Sequence, residues 1–222
     1  MIQQSTLDFL KKLKENNEKT WFQEHRDEYE RAREDFVHFF DEFASDIVEL
    51  DDHIIHSQND SHILRINRDI RFSPDKTLYK SRLGWFICPR GRANKHTTAL
   101  YYLHVSPWNT FLAVWVRAPE RKYLENIRDF IAEKWNQLQK IINKKEFKEI
   151  FWTLSQNEAL KTAPRWYPID HKYIELLRLK HFTALYRIPD SVVTSKDFPK
   201  KLQQASKAAK PFNDFFNSIS AH

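Results

Sequence analysis

Over the first fifty residues apolar side chains recur every three or four positions, a spacing that predicts amphipathic helices. Leu7, Leu10 and Leu13 make one stripe, and Ser5 with Asp8 ahead of it resembles a capping box. Asn16-Asn17 reads as a stop followed by a new cap. From Phe22 the period continues through Tyr29, Phe36, Phe40, Phe43 and Ile47, with Glu24, Glu28, Arg31 and Glu42 on the opposite side, which predicts one long helix. Polar residues then dominate 51–61, a loop with room for one helical turn.

In the middle of the chain the period changes to two. Strand signals begin at Ile63 and recur at 83–88, 99–105 and 110–117. Ala99, Tyr101, Leu103 and Val105 alternate with Leu100, Tyr102 and His104, as in a packed strand. Ser106-Pro107-Trp108-Asn109 is a short turn, so its flanking strands form an antiparallel hairpin, and the basic stretch 90–97 is a longer connection. Helical spacing returns after Pro119, through Tyr123, Leu124, Ile127, Ile131, Leu138 and Ile142, with a shorter helix through Phe147, Ile150, Phe151 and Leu154. Prolines 164 and 168 bracket an irregular segment, and Asp170 is placed to cap a helix reaching about Arg178. Phe182, Ala184 and Tyr186 read as one more strand. Thr194 with Asp197 precedes a last helix, which Pro211 kinks or breaks. With no repeat or linker in evidence, the expectation is a single α+β domain over residues 1–222: an antiparallel meander packed with several helices.

Composition narrows the chemistry. Seven Trp, eight Tyr and seventeen Phe supply ample core for an ordered domain, even with 30% charged residues. Only Gly84 and Gly91 are glycines, which excludes a Walker A loop, a G-x-G-x-x-G turn and a G-x-S-x-G elbow together. The lone Cys88 rules out an internal disulfide and cysteine-rich zinc sites, and its apolar strand makes it a core residue rather than a nucleophile. No signal peptide is expected, and no apolar run approaches the ~20 residues of a membrane span, so a cytoplasmic location without a membrane partner is the expectation. Net charge is +6, from 36 basic and 30 acidic residues, which tolerates an anionic partner without requiring one.

Charge is concentrated in residues 65–82. Arg65, Arg68, Arg71, Lys76, Lys80 and Arg82 stand against Asp69 and Asp75, six basic and two acidic residues for a local net of +4. Ser73-Pro74-Asp75 has the chemistry of a helix start, whose free N–H groups favour an anion. If the chain turns there, Arg68, Arg71, Lys76 and Lys80 converge on a phosphate or carboxylate, which arginine forks bind at two points. The opposing reading is structural: Asp69 and Asp75 pair with the neighbouring arginines and lock an irregular loop.

Other candidates are thinner. His53 and His56 make an H-x-x-H pair near Asp51, Asp52 and Asp60, but no pattern completes a metal site, so no metal and no cofactor is expected. His25, between Trp21 and Tyr29 on an apolar face, reads as a satisfied histidine, and no residue is assigned a catalytic role. The basic stretches 90–96 and 196–210, with Trp108 or Tyr101 as stacking platforms, keep nucleic acid open as an alternative partner, and a protein-interaction domain with no ligand, its Arg/Asp segment purely structural, is the other alternative.

Four spaced motifs carry a resemblance. They are Asn16-Asn17 with Trp21-Phe22, His25-Arg26 and Tyr29; Arg68-Asp69-Ile70-Arg71-Phe72 with Asp75-Lys76 and Tyr79-Lys80; Ala163-Pro164-Arg165 with Tyr167 and Asp170-His171; and Leu176-Leu177-Arg178-Leu179-Lys180. On these the chain resembles, along essentially its whole length, the mainly bacterial family catalogued as domain of unknown function 2461 (DUF2461). The resemblance implies an α+β fold and no established activity. It also implies that Trp21, His25, Arg26, Arg68, Asp69, Arg71, Lys76, Tyr79, Lys80 and Arg165, with Asp75, meet in space as an anion site. The sequence departs from that family's pattern at Leu78, where proline is usual, at Trp166, where glycine is usual, and over 111–119, which lacks the expected glycines.

Overall fold

Alternation in the middle of the chain becomes a four-stranded sheet. In the computed structural model, which describes residues 1–54, 63–89, 91–156 and 158–219, β1 (Leu83–Ile87), β2 (Leu100–Val105), β3 (Thr110–Val116) and β4 (Phe182–Ile188) lie in that order. All pairs are antiparallel, with Trp85 opposite Leu103, Leu103 opposite Leu112 and Leu112 opposite Tyr186. The meander is therefore as the alternation predicts, and with eight α-helices among the described residues the fold is α+β. The predicted loop at 51–61 reaches beyond the described residues, as do His56 and Arg90.

Both faces of the sheet are covered, for different reasons. Leu83, Trp85, Ile87, Tyr101, Leu103, Val105, Leu112 and Val114 enter the main core. There α3 (Arg26–Leu50) lies against β1, where Phe40 and Phe43 meet the Trp85 ring at 4.0 and 5.7 Å. The last helix, α8 (Phe198–Asn217), lies against β3 and runs on through Pro211 rather than ending there. The intervening positions Phe86, Cys88, Leu100, Tyr102 and Ala113 form a smaller cluster on the other face, with Leu64, Phe111, Trp115 and Leu185 against it. Gly84 belongs to this second face. A Cβ there would lie 3.0 Å from the Tyr102 hydroxyl, so the missing side chain makes room for that ring.

Several boundaries differ from the periodicity, each for a local reason. Helix α1 (Gln4–Glu15) begins before Ser5, and its first turn is capped from α3: Asp35 Oδ2 accepts the Gln3 N–H at 2.9 Å and the Thr6 hydroxyl at 2.6 Å. The predicted long helix is two. Helix α2 (Lys19–Glu24) and α3 part at His25, whose backbone leaves helical geometry and whose Nδ1 lies 2.9 Å from the Trp21 carbonyl. Helix α4 (Arg121–Ile142) is interrupted at Lys134, and α5 (Lys145–Phe151) stops before Leu154, which instead makes a β-bridge to Ala184. Asp170 caps nothing; α6 (Ile174–Leu177) is a single turn with Tyr173 at its N-cap. After β4, α7 (Asp190–Val193) leads into α8, whose N-cap residue is Asp197 without a side-chain cap bond from Thr194.

Five residues other than glycine hold positive φ: Trp108, Ala118, Trp152, Glu158 and Trp166. Two of these coincide with places where the chain departs from the family pattern. Trp166 stands at φ 77° and Ala118 at φ 47°. A Cβ in left-handed backbone costs roughly 1–2 kcal/mol, which glycine avoids. Ala118 is held there from both sides, since its N–H donates to His181 Nδ1 at 2.9 Å and its carbonyl lies 3.1 Å from His96 Nδ1. Relief of the Cβ strain outweighs glycine's extra freedom in the unfolded chain, so Ala118→Gly is expected to stabilise the protein by up to about 1 kcal/mol. An unchanged or lower urea midpoint would show that the two histidines, not the Cβ, set the energy of this corner.

Candidate functional site

The charged segment folds back on itself. Ile63 forms a bridge to Trp85, and the Leu64 N–H donates to the Gly84 carbonyl at 2.8 Å, so the chain enters along the free edge of β1. It then makes an irregular hairpin closed by the Asn67–Tyr79 bridge, with Arg68 N–H to Leu78 O at 2.9 Å and Lys80 N–H to Ile66 O at 2.8 Å. No helix starts at Ser73-Pro74. The Asp75 carboxylate is used within the loop, accepting the Thr77 N–H at 3.0 Å and its hydroxyl at 2.9 Å while also pairing with Arg68. These contacts, the Thr77 backbone foremost, hold the Asp75 carboxyl down at about 2.

Most cations at the hairpin tip are used in the same way. Arg71 forks onto Asp69 at 3.0 and 2.7 Å, and Lys76 donates to the Ile70 carbonyl at 3.1 Å. Arg68 is shared among Asp75, Thr77 and Ser73, and Lys80 donates to the Arg65 carbonyl. The pairing of Asp69 and Asp75 with neighbouring arginines is thus present. The convergence of Arg71 and Lys76 on a helix end is not.

The hairpin is fastened to the helical layer by one side chain. Asn17, between α1 and α2, donates to the Tyr79 carbonyl at 3.0 Å and accepts the Tyr79 N–H at 2.9 Å, and Phe22 stacks on the Tyr79 ring at 4.0 Å. This docking encloses a cleft of about 740 Å³, lined by Lys14, Asn17, Arg68, Asp69, Asp75, Thr77, Tyr79, Lys80, Ser81, Arg82, His104, Ser106 and Asn109. Five of the sequence candidates therefore share one hollow: Arg68, Asp69, Asp75, Tyr79 and Lys80. Arg71 and Lys76 do not line it. Nor do Trp21, which stacks on His25, Arg26, which pairs with Glu30, or Arg165, which lies over the Trp166 ring.

Arg82 is counted among the basic residues of the segment in the sequence but is not among the site candidates read there. It lies in the cleft wall with its Nε buried and without a hydrogen-bond partner among the described residues. Its charge is felt by its neighbours. The His104 imidazole is pushed down to about 4, first by burial and then by Arg82. Burial lowers the Lys80 ammonium, and Arg82 is the largest of the three arginine contributions that lower it further. The signal was available in strand parity: residue 82 shares the side of β1 that carries Gly84 and Phe86, which puts it beside Tyr102 and His104. His104 itself stacks on Phe111 at 4.5 Å, with Nδ1 3.3 Å from the Tyr102 hydroxyl.

Another histidine, His181, contacts a carboxylate. His181 Nδ1 accepts the Ala118 N–H and its Nε2 lies 2.7 Å from Glu158, so both ring nitrogens are occupied. Tyr101 is fully buried and offers no stacking face, which corrects that expectation. Trp108 is exposed, with Lys11 and Lys14 ammonium groups over its ring at 5.1 and 5.6 Å. No helix among the described residues is long and apolar enough to cross a membrane.

Comparison with known proteins agrees with the motif pattern. A family model described as "Conserved hypothetical protein (DUF2461)" matches residues 5–215. No curated protein and no solved structure matches the chain.

Two measurements follow from this geometry. Asn17→Ala removes both bonds to Tyr79 and should cost about 2 kcal/mol in urea unfolding; a loss below about 0.5 kcal/mol would mean the hairpin is held by other contacts. His104 gives a pH dependence of definite sign. Its folded pKa, about 4, lies below the ordinary 6.5, so the unfolded chain takes up the proton first. The stabilisation is complete above about pH 6.5 and falls away toward pH 4, by about 3 kcal/mol in all. His104→Gln should flatten the stability profile over that window relative to the parent, and parallel profiles would rule the assignment out.

Proposed function

We propose that this chain, which belongs to the DUF2461 family, binds a small anionic ligand bearing phosphate or carboxylate in the cleft between the basic hairpin and the sheet. The observation that carries the reading is Arg82. A guanidinium with a buried, unpartnered Nε is costly unless something supplies the missing acceptor. Within the cleft the carboxylates do not supply it, because Asp69 is committed to Arg71 and Asp75 to Arg68 and Thr77. An anion entering beside Arg82 meets Lys80 and Arg68 on the hairpin, Lys14 at the end of α1, and the neutral donors Ser81, Ser106 and Asn109. A volume of about 740 Å³ suits a small organic anion rather than a bare ion.

The hairpin's internal ion pairs support the same reading. They hold the cleft wall in place and leave one guanidinium for the ligand, which is how a preorganised site avoids ordering costs on binding. Cys88, a buried cysteine outside any disulfide, suits the reducing cytoplasm in which we place this activity. A nucleic-acid partner has less support, since Tyr101 is buried and the Trp108 ring already faces two lysines. The reading assigns binding, and no catalytic residue.

Calorimetric titration of the full chain with pyrophosphate and with citrate tests it. One of these anions is expected to bind with unit stoichiometry. Loss of one charge-assisted contact in Arg82→Met should weaken that binding by roughly ten- to a hundredfold. Arg26→Ala, which is outside the cleft and breaks only the pair with Glu30, should leave it unchanged. Equal affinity in the parent and Arg82→Met, or no heat at millimolar anion, would overturn the proposal.

A further inference from the structure

A second unbalanced charge lies on the main-core face of the sheet, and its sign is negative. Helix α3 ends at Leu50, and its C-cap residue, Asp51, is almost completely buried. Asp51 Oδ1 accepts the His53 N–H at 3.1 Å and faces His53 Nδ1 at 3.3 Å. The other oxygen, Oδ2, is buried with no hydrogen-bond partner among the described residues. Across from it on α8 stands Asn213, 1% exposed, with neither amide atom hydrogen-bonded, and on β2 the Tyr101 hydroxyl, also buried and unpartnered. Beside Asn213, Asp214 holds the Lys210 ammonium at 2.8 and 2.9 Å.

Asp51 Oδ2, both Asn213 amide atoms and the Tyr101 hydroxyl face one another without a hydrogen bond of normal length among the described residues, and buried groups left so are rare in folded proteins. A water satisfies two to four of them. It does not balance the charge. Asp51 and Asp214 bring two carboxylates to this spot against the one Lys210 ammonium, which Asp214 holds at 2.8 Å, a net of −1. Burial chiefly, then the Asp51 carboxylate, pushes the Tyr101 phenol up, so its hydroxyl stays a neutral donor close to that acid. A buried carboxylate in this setting calls for a cation.

Ligand chemistry identifies which kind. One donor atom each from Asp51, His53 and Asp214 lies within 4.8 Å of the others. Ligands at about 2.1 Å from an ion sit roughly 3–4 Å apart, so a small inward movement completes the set. An imidazole nitrogen with carboxylate oxygens suits zinc, manganese, iron(II) or cobalt(II) rather than calcium or magnesium, which prefer oxygen alone. We propose that Asp51, His53 and Asp214 bind a divalent transition-metal ion, with the Asn213 carbonyl oxygen as a further donor, and that the ion ties the end of α3 to α8. Lys210 then competes with the metal for Asp214. His53 is the residue of the H-x-x-H pair that finds partners here. One of them, Asp51, is two residues away; the other, Asp214, comes from α8, some 160 residues away in the chain, a separation at which no spacing motif reads.

The test is titration of the full chain, stripped with chelator, using cobalt(II) and zinc. The expected result is one equivalent bound, visible d–d absorption for cobalt, and a raised thermal midpoint that depends on metal concentration. His53→Ala, at an exposed side chain that folding does not need, and Asp214→Asn should each weaken binding by roughly tenfold or more. Lys210→Met should tighten it by removing the competing ammonium. Absence of stoichiometric binding overturns the site. Binding that survives His53→Ala unchanged places the ion elsewhere and overturns it too. So does a Lys210→Met variant that loses stability while its metal affinity stays the same, since Lys210 would then be the cluster's only cation.

Discussion

One side chain does the work of a missing strand. Asn17 offers the Tyr79 backbone both halves of a β-pair, a donor for its carbonyl and an acceptor for its N–H. The basic hairpin has only isolated bridges and few backbone bonds of its own, so this amide and the Phe22–Tyr79 stack fix where it sits against the helices. That position decides the rest of the cleft. It brings Lys14 from the end of α1, Lys80 from the hairpin and Arg82 from the approach to β1 around a single hollow. Without the amide the same residues would be a charged flap on a sheet edge, and edges of that kind are solvated rather than shaped.

Charge pairing within the hairpin follows sequence proximity. Arg71 reaches Asp69 two residues away, Arg68 reaches Asp75 seven away, and Lys76 reaches Ile70 six away. Local partners are cheap in loop-closure entropy, so a tight loop rich in both signs satisfies itself first. A count of arginines and lysines along 65–82 therefore overstates how many remain for a ligand. What matters is which cation falls outside the loop's own closure and also lines the cleft, and among the described residues of this segment that is Arg82, at the bend just before β1.

The strands were legible as short apolar runs bounded by polar turns, with alternation in 99–105 and 182–186, and the antiparallel pairing of β2 with β3 follows from a hairpin turn at 106–109. Helix existence was legible too, though not every boundary. Asp35 caps α1 across space, and His25 interrupts a periodic run that shows no proline or glycine. Ser73-Pro74-Asp75 has good helix-start chemistry, yet the Asp75 carboxylate turned to Thr77, and local side-chain bonds of this type compete directly with helix formation. The grouping of Arg68, Asp69, Asp75, Tyr79 and Lys80 was readable from one compact motif. Arg82, His104 and Lys14 were not, since they join that group only through sheet parity and helix docking. Departures from the family's pattern have a physical trace as well, with Ala118 and Trp166 standing in backbone that glycine would occupy without strain.

Alternation along β2 sends neighbouring tyrosines to opposite faces, and each meets a charge that the protein leaves unbalanced. Tyr102 lies beside His104, near Arg82 on the face of the smaller cluster, while Tyr101 enters the main core toward Asp51, Asn213 and Asp214. A positive and a negative imbalance in one small domain would ordinarily find each other. Here the buried strands β1 and β2 lie between them, and neither side chain can cross. Neither imbalance is relieved across the sheet, and the anion and cation sites proposed above account for the two separately, each from its own face.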